Sequence, residues 1–366
     1  MKPITFIRLV GLALLLGECA ARAEAQPPPP DFKTMTQQAI QKSLPLLQSS
    51  AVGFTAKVKC ISCHNQSMPQ MTMALAQTRG FKVDIKLADQ QDKRIYGAAL
   101  QMKGLLQAAT KSKEAEKRLD LLTVDPSISI GYMMVGMAAS KQKPDELTGL
   151  MAQYVVRKQQ ENGCWPVTSA RPPMEGSDFA ATALTVRALK AYAAEDTETE
   201  ARITKARSWL LNTTPRNTED KTFRLFGLFW ASAEGRDIAK AREELLAGQR
   251  DDGGWGQLPT LASDAYATGE AMVALHEAGG LSATDSAYER GRFFLLTTQA
   301  QDGSWFVPKR AISLQPYVEA GYPYKNAQFI SICGACWATM ALLYTVDGPP
   351  SAPVKSAAHL SENSKP

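Results

Sequence analysis

Apolar positions along the chain fall into two alternating kinds of segment. In one kind, charges recur at short intervals, as in Lys240, Arg242, Glu243 and Glu244 or in Glu289, Arg290 and Arg292. In the other, over 179–191, 265–275 and 330–343, nearly every position is Ala, Leu, Met, Gly, Thr or another small or apolar residue. The first pattern is that of a helix with one face in water, and the second that of a helix covered on most sides. They alternate in order: 34–47 before 66–78, 89–109 before 127–140, 147–158 before 179–191, 206–211 before 222–233, 238–248 before 265–275, and 287–298 before 330–343. Six helical hairpins of about 50 residues each follow, a period that implies a closed or stacked array.

Three of the hairpins turn on the same phrase, Q-x-x-[ND]-G-x-W: Gln159 to Trp165, Gln249 to Trp255 and Gln299 to Trp305. The Asn/Asp-Gly step tolerates positive φ, Gln bonds loose backbone groups at the helix end, and Trp covers the turn with a large ring. A degenerate copy around Trp209 lacks the Gly-x-Trp turn. With the charged helices outside and the apolar ones inside, six inner helices at ~8–10 Å spacing leave a central hollow roughly 10 Å across. A small apolar ligand fits such a hollow, and side chains can equally fill it.

These phrases, preceded by stretches such as Gly291-Arg292-Phe293-Phe294-Leu295, resemble the repeat of the squalene and hopene cyclases and of the protein prenyltransferase β subunits. The resemblance covers most of 33–347, is strongest from Leu147 onward, and implies an all-α fold, an α/α toroid of about six hairpins. For activity it implies isoprenoid chemistry. Cyclases of this kind protonate an alkene with an acidic Asp in a D-x-D-D-T-A phrase, which is similar here to Asp178-Phe179-Ala180-Ala181-Thr182-Ala183 and Asp264-Ala265-Tyr266-Ala267-Thr268-Gly269. Asp178 and Asp264 are therefore the candidate catalytic acids. Because Ala180 and Tyr266 stand where the central acid belongs, the alternative is that Ser177/Asp178 and Ser263/Asp264 are N-caps of inner helices. The prenyltransferase branch implies a zinc of Asp, Cys and His, for which His276 would have to serve alone. A loop between Trp305 and Gln328 holds Lys309, Arg310, Tyr317, Glu319, Tyr322 and Tyr324; it is long enough to gate or recognise a ligand at the toroid mouth.

The ends of the chain bear on where it works. Lys2 and Arg8, the apolar run 9–16 and Ala23-Glu24-Ala25 read as a cleavable signal peptide over 1–25. Residues 26–32 form a Pro-rich leader, 33–347 the toroid, and 348–366 a disordered tail. No later apolar run reaches the length of a membrane span, so the expected location is periplasmic or secreted. The net charge of +5 is spread without a basic stripe, which argues against nucleic acid as a partner.

Removal of Cys19 with the signal leaves five cysteines: Cys164 and two C-x-x-C pairs. The first pair, Cys60-Ile61-Ser62-Cys63-His64, lies at the turn of the first hairpin and resembles the attachment motif of the cytochromes c. It implies haem c held through Cys60 and Cys63, with His64 as the proximal iron ligand. Met68 and Met71 follow on the same helix, so a distal ligand comes from elsewhere; Met133, Met134, Met137 and His276 are the candidates, and an open sixth position is equally allowed. Alternatives are a Cys60–Cys63 disulfide, or zinc held by Cys60, Cys63, Cys333 and Cys336 if ring closure brings the first and last hairpins together. Cys333 and Cys336 also read as small core residues. Three functions stand at this point: a haem-bearing toroid doing electron transfer or redox chemistry on a small, isoprenoid-like ligand, with a redox partner protein; a cyclase- or prenyltransferase-like enzyme with structural cysteines; and a non-catalytic scaffold binding lipid or a partner.

Overall fold

The computed structural model describes residues 31–58, 63–123, 125–168, 171–312 and 317–348, with the backbone alone at Cys63 and His64. The expected signal, leader and tail fall almost wholly outside these residues. Helices arrive in hairpins. Helix α1 (Phe32–Lys57) is followed by α2 (Met68–Thr78); α3 (Ile85–Gln101), α4 (Lys103–Ala109) and α5 (Lys113–Thr123) by α6 (Pro126–Ala139); and α7 (Glu146–Val156) by α8 (Asp178–Tyr192). Then come α9 (Thr197–Asn212) with α10 (Thr218–Trp230), α11 (Gly235–Leu246) with α12 (Ala265–Glu277), and α13 (Ser286–Thr298) with α14 (Gln328–Leu343). Among the described residues the only β pairing is in two isolated bridges, Arg171 with Glu175 and Gly256 with Ser263.

The apolar member of every pair lies inside. Helices α2, α6, α8, α10, α12 and α14 pack each on the next, and α14 packs back on α2, so the inner ring is closed. Helix α1 touches both α13 and α14, so the first and last hairpins meet in the outer layer as well. The fold is thus the α/α toroid of six hairpins that the repeat implies.

Each corner phrase works as a clip between hairpins. Gly163, Gly253 and Gly303 have φ of 101°, 84° and 89°, where only glycine sits without strain. The Asn or Asp before them accepts from the backbone two residues on: Asn162 from Cys164, Asp252 from Gly254, Asp302 from Ser304. Trp165, Trp255 and Trp305 are buried and donate through Nε1 to the main-chain oxygens of Val155, Leu245 and Leu295, in the last turn of each helix. Gln159, Gln249 and Gln299 each bond their own turn and also the next outer helix, at Arg202, Ala287 and Ala39.

Side chains occupy part of the expected hollow. Trp337 of α14 meets Phe223 and Phe226 of α10, centroids 6.4 Å apart in both pairs. Met174, from the loop before α8, reaches Cys333 of α14, Sγ to Sδ 3.4 Å. These contacts join elements that are not neighbours in the ring.

Candidate functional site

The starts of α8, α10 and α12 share one mouth of the toroid, and each is capped by a side chain. Ser177 Oγ accepts from Ala180 N, Asn217 from Asp220 N and Asp264 from Ala267 N. Capping satisfies backbone donors that a buried helix start leaves open. Ser177 in turn donates to Asp220 Oδ1 at 2.7 Å. Of the two acids singled out in the sequence, Asp264 is this cap of α12 and its second oxygen accepts from Gln257 Nε2 at 2.8 Å. Burial pushes its carboxyl above the usual range. Asp178 opens α8 and accepts from Val167 N at 2.8 Å. The capping alternative therefore describes Ser177 and Asp264.

Next to these caps lies a pair of acids that sequence reasoning missed. Glu219, second residue of α10, and Glu270, in the middle of α12, are only 5% and 1% exposed. Burial raises both carboxyls: Glu219 to about 8, and Glu270, which also faces the charge of Glu219, well above the carboxylate range. Tyr266 OH donates to Glu219 Oε1 at 3.3 Å. Among the described residues no group donates to the Oε2 atoms, and two carboxylates have only acceptors to offer. Protonation, which both shifts favour and Glu270's the more, supplies the missing donor. The available signal was a lone Glu within the apolar phrase Ala267-Thr268-Gly269-Glu270-Ala271-Met272.

A cavity of about 20 Å³ opens beside the pair, lined by Glu219, Glu270, Asn217, Gln257 and Arg310, which is room for one water. Arg310 belongs to the loop after Trp305 and donates to Gln257 Oε1 at 3.0 Å; its charge favours the ionised forms of Glu219 and Asp264. Further along, the same loop lies on the end of α1, where Lys57 Nζ donates to Glu319 O at 2.6 Å. The buried Glu175 pairs with Arg171 on the rim, and Asp125 adds a repulsion that helps raise it.

The haem-like cluster is placed less fully. Cys60 lies outside the described residues, and Cys63 and His64 begin, in backbone only, a π-helical turn Cys63–Ser67 that runs straight into α2. Helix α6, which carries Met133, Met134 and Met137, packs on this turn. All three methionines are buried. His276 sits at the far end of α12, its Nδ1 2.9 Å from Leu281 O and its ring 4.4 Å from that of Tyr344. Cys333 bonds Phe329 O at 3.2 Å, and Cys336, hydrogen-bonded to Thr72, is pushed up to about 12 by burial. Among the described residues no group of three His, Cys, Asp or Glu is disposed around a metal position; Cys60 and the side chain of Cys63, two of the four thiols of the zinc alternative, lie outside them.

No protein-family model matches the chain, and no curated protein matches it either. Among solved structures it is similar to the type II terpene cyclase MstE from Scytonema. A variant of that enzyme in complex with the substrate geranylgeranyl dihydroxybenzoate aligns at TM-score 0.51 and 13% identity, over 86% of this chain and 98% of the other. A variant with the product merosterolic acid A gives 0.47 at 13%, over 86% and 97%, and the apo enzyme 0.46 at 13%, over 85% and 98%. At this identity the likeness bears on architecture alone, and the architecture is the helical toroid of a terpenoid cyclase.

Proposed function

We propose that the protein carries out acid-catalysed chemistry on a small, largely apolar ligand of isoprenoid type, with Glu270 as proton donor. The observation that carries this reading is the pair of buried carboxyls, Glu219 and Glu270, whose Oε2 atoms have no donor among the described residues. Such a pair costs stability and is characteristic of functional sites. Glu219 accepts the hydrogen bond from Glu270 before transfer, and the positive starts of α10 and α12, with Arg310, favour the carboxylate left afterwards. Trp337, Phe223 and Phe226 offer ring faces to a developing cation. A carboxyl raised this far is a weak acid, which suits an oxygen acceptor, such as an epoxide or allylic alcohol, better than a plain alkene. Asp264 acts by holding Gln257 and the start of α12, and Asp178 by anchoring the turn at Val167. The test is incubation with squalene, epoxidised squalene and geranylgeranyl diphosphate, with products read by mass spectrometry. Product that falls at least a hundredfold in Glu270→Gln supports the reading. No product from a folded protein, with lipid co-purifying, favours a binding scaffold and overturns it.

A second reading, haem c on Cys60 and Cys63 with His64 as proximal ligand, rests on the motif and on the packing of the methionine-bearing α6 against the turn that contains Cys63 and His64. Met133, Met134 and Met137 are the candidates this packing supports for the distal ligand. A bound haem would supply one-electron transfer to a partner protein outside the cytoplasm, where the signal peptide directs the chain. Protein exported from a host that attaches c-type haem should show a Soret band that Cys60→Ala/Cys63→Ala removes; no band in the parent protein ends this reading.

A further inference from the structure

The second hairpin carries more than the repeat requires. Its outer layer is not one helix but three, α3, α4 and α5 (Lys113–Thr123). One side of α5 is fully engaged. Leu119 is buried, Asp120 Oδ1 accepts from Tyr154 OH of α7 at 2.6 Å, and Glu116 pairs with Arg157 and Lys158 at the end of α7, at 2.8 and 2.7 Å. Residues 114, 117, 118, 121 and 122, three and four positions apart, form the opposite side and are all exposed. Leu121 is 83% and Leu122 67% exposed. Single exposed leucines are ordinary on a protein surface, whereas two together on a free helix face call for an explanation. One turn earlier on that face stand Lys117 and Arg118, with Lys113 and Glu114 at the helix start. The free side is therefore apolar at its end and net basic before it. That end lies at the acid mouth: Asp125, two residues past Thr123, accepts from Thr168 N at 2.9 Å, just after the corner closed by Trp165.

We propose that α5 docks on an anionic phospholipid bilayer, with Leu121 and Leu122 in the boundary between headgroups and acyl chains and Lys113, Lys117 and Arg118 against the phosphates. Apolar and basic side chains on one helix face are the pattern of an interfacial helix, whose long basic side chains lie along the apolar surface and keep their charged heads at the headgroups. The other strongly exposed apolar side chains decide for lipid over a protein partner. Ile312, 83% exposed, and Phe306, 54% exposed, follow the corner of Trp305 at the same end of the toroid, where Val307 N bonds Ser331 of α14. Helix α5 packs on α4 and α6 instead, so the apolar points stand apart around one rim. A flat bilayer meets separated points of one end together, while a protein partner needs a contiguous patch. No residue is shared with the acid pair, so the surface stands or falls independently of the cyclase-like reading.

Vesicle flotation of the full protein at physiological ionic strength, with phosphatidylcholine alone and with phosphatidylglycerol mixed in, tests this. The parent should bind the anionic vesicles at least tenfold more tightly than the neutral ones, and high salt should weaken that binding. Leu121→Gln/Leu122→Gln, both solvent-facing, should lose roughly a hundredfold, about tenfold for each leucine withdrawn from the bilayer, with the thermal midpoint unchanged. Lys117→Gln/Arg118→Gln should lose about tenfold on anionic vesicles and nothing on neutral ones. Ile85→Gln, exposed at the opposite end of the toroid, should bind as the parent does. No vesicle binding by the folded parent, equal binding to both vesicles, parent-like binding by the leucine variant, or an equal loss in Ile85→Gln overturns the proposal; the first of these leaves the leucines to a protein partner.

Discussion

The side-chain amide of Gln299 donates to the main-chain oxygen of Ala39, across 260 residues of sequence, at 3.0 Å. The same nitrogen bonds Gly303 O, within its own turn, at 3.0 Å. One amide thus ties the last corner to the first helix, and the corner presses close: a β-carbon on Gly303 would lie 2.7 Å from the backbone carbon of Lys42. Gln299→Leu should cost about 1–3 kcal/mol, since it leaves a buried carbonyl without its donor. Gly303→Ala should cost more, because it adds a backbone clash to a φ that alanine tolerates poorly. Urea unfolding measures both; a cost for Gln299→Leu no larger than for an exposed control would remove the clip from the account of ring closure.

That clip shows how far the sequence reaches. The corner phrases name their own local bonds, because turn residues act on their immediate backbone. Nothing in Gln299 names Ala39, a partner fixed only when six hairpins close. The six pairs were legible from composition, whereas 89–109 reads as one helix and is α3 followed by α4, with α5 unforeseen. Local capping decided this: Met102 ends α3 by bonding Ala99 O, and Ser112 Oγ receives Ala115 N at the start of α5. Asp264 was legible as a cap because capping is local. The Glu219–Glu270 pair was not, because it depends on which faces of α10 and α12 meet.

Stability should fall as pH rises from about 5 to 8. Glu219 ionises near 4.5 in the unfolded chain and near 8 in the folded protein, and Glu270 is raised well above its ordinary value too, so across this window the native state holds two protons that the unfolded state has lost. The stabilisation is complete below the lower value, and the share of Glu219 disappears as pH climbs through the upper one, with a slope approaching ~1.4 kcal/mol per pH unit for each proton. Urea melts at half-unit intervals in the parent and in Glu219→Gln/Glu270→Gln should show the slope in the first and its loss in the second. An unchanged slope in the double variant would place the titration elsewhere.

Asp264 separates capping from charge. Asn is as good an N-cap as Asp but sets an NH2 against Gln257 Nε2, so Asp264→Asn should cost about 1 kcal/mol, while Asp264→Ala, which also frees the Ala267 N–H, should lose roughly 1–2 kcal/mol more. Thermal melts of the two variants decide this. An equal loss in both would mean that the bond from Gln257, not the cap, holds the start of α12.

Two glycines in helices, Gly149 of α7 and Gly269 of α12, should respond to alanine with opposite signs. Both substitutions gain helix propensity of up to about 1 kcal/mol and restrict the unfolded chain. At Gly149 a new β-carbon meets nothing within 4 Å, so that gain is realised and Gly149→Ala should raise the midpoint by a few degrees. At Gly269 the β-carbon would lie 2.5 Å from the backbone of both Trp337 and Ala338 on α14. Backbone cannot rotate aside as a side-chain end does, so α12 and α14 must separate, and overpacking of this kind costs about 1–3 kcal/mol or more. The separation would also shift Tyr266, three residues before Gly269, whose hydroxyl reaches Glu219. Gly269→Ala should therefore lower stability and, where acid catalysis is measured, product formation as well. A stabilised Gly269→Ala would show that the inner helices stand further apart than a packed ring requires.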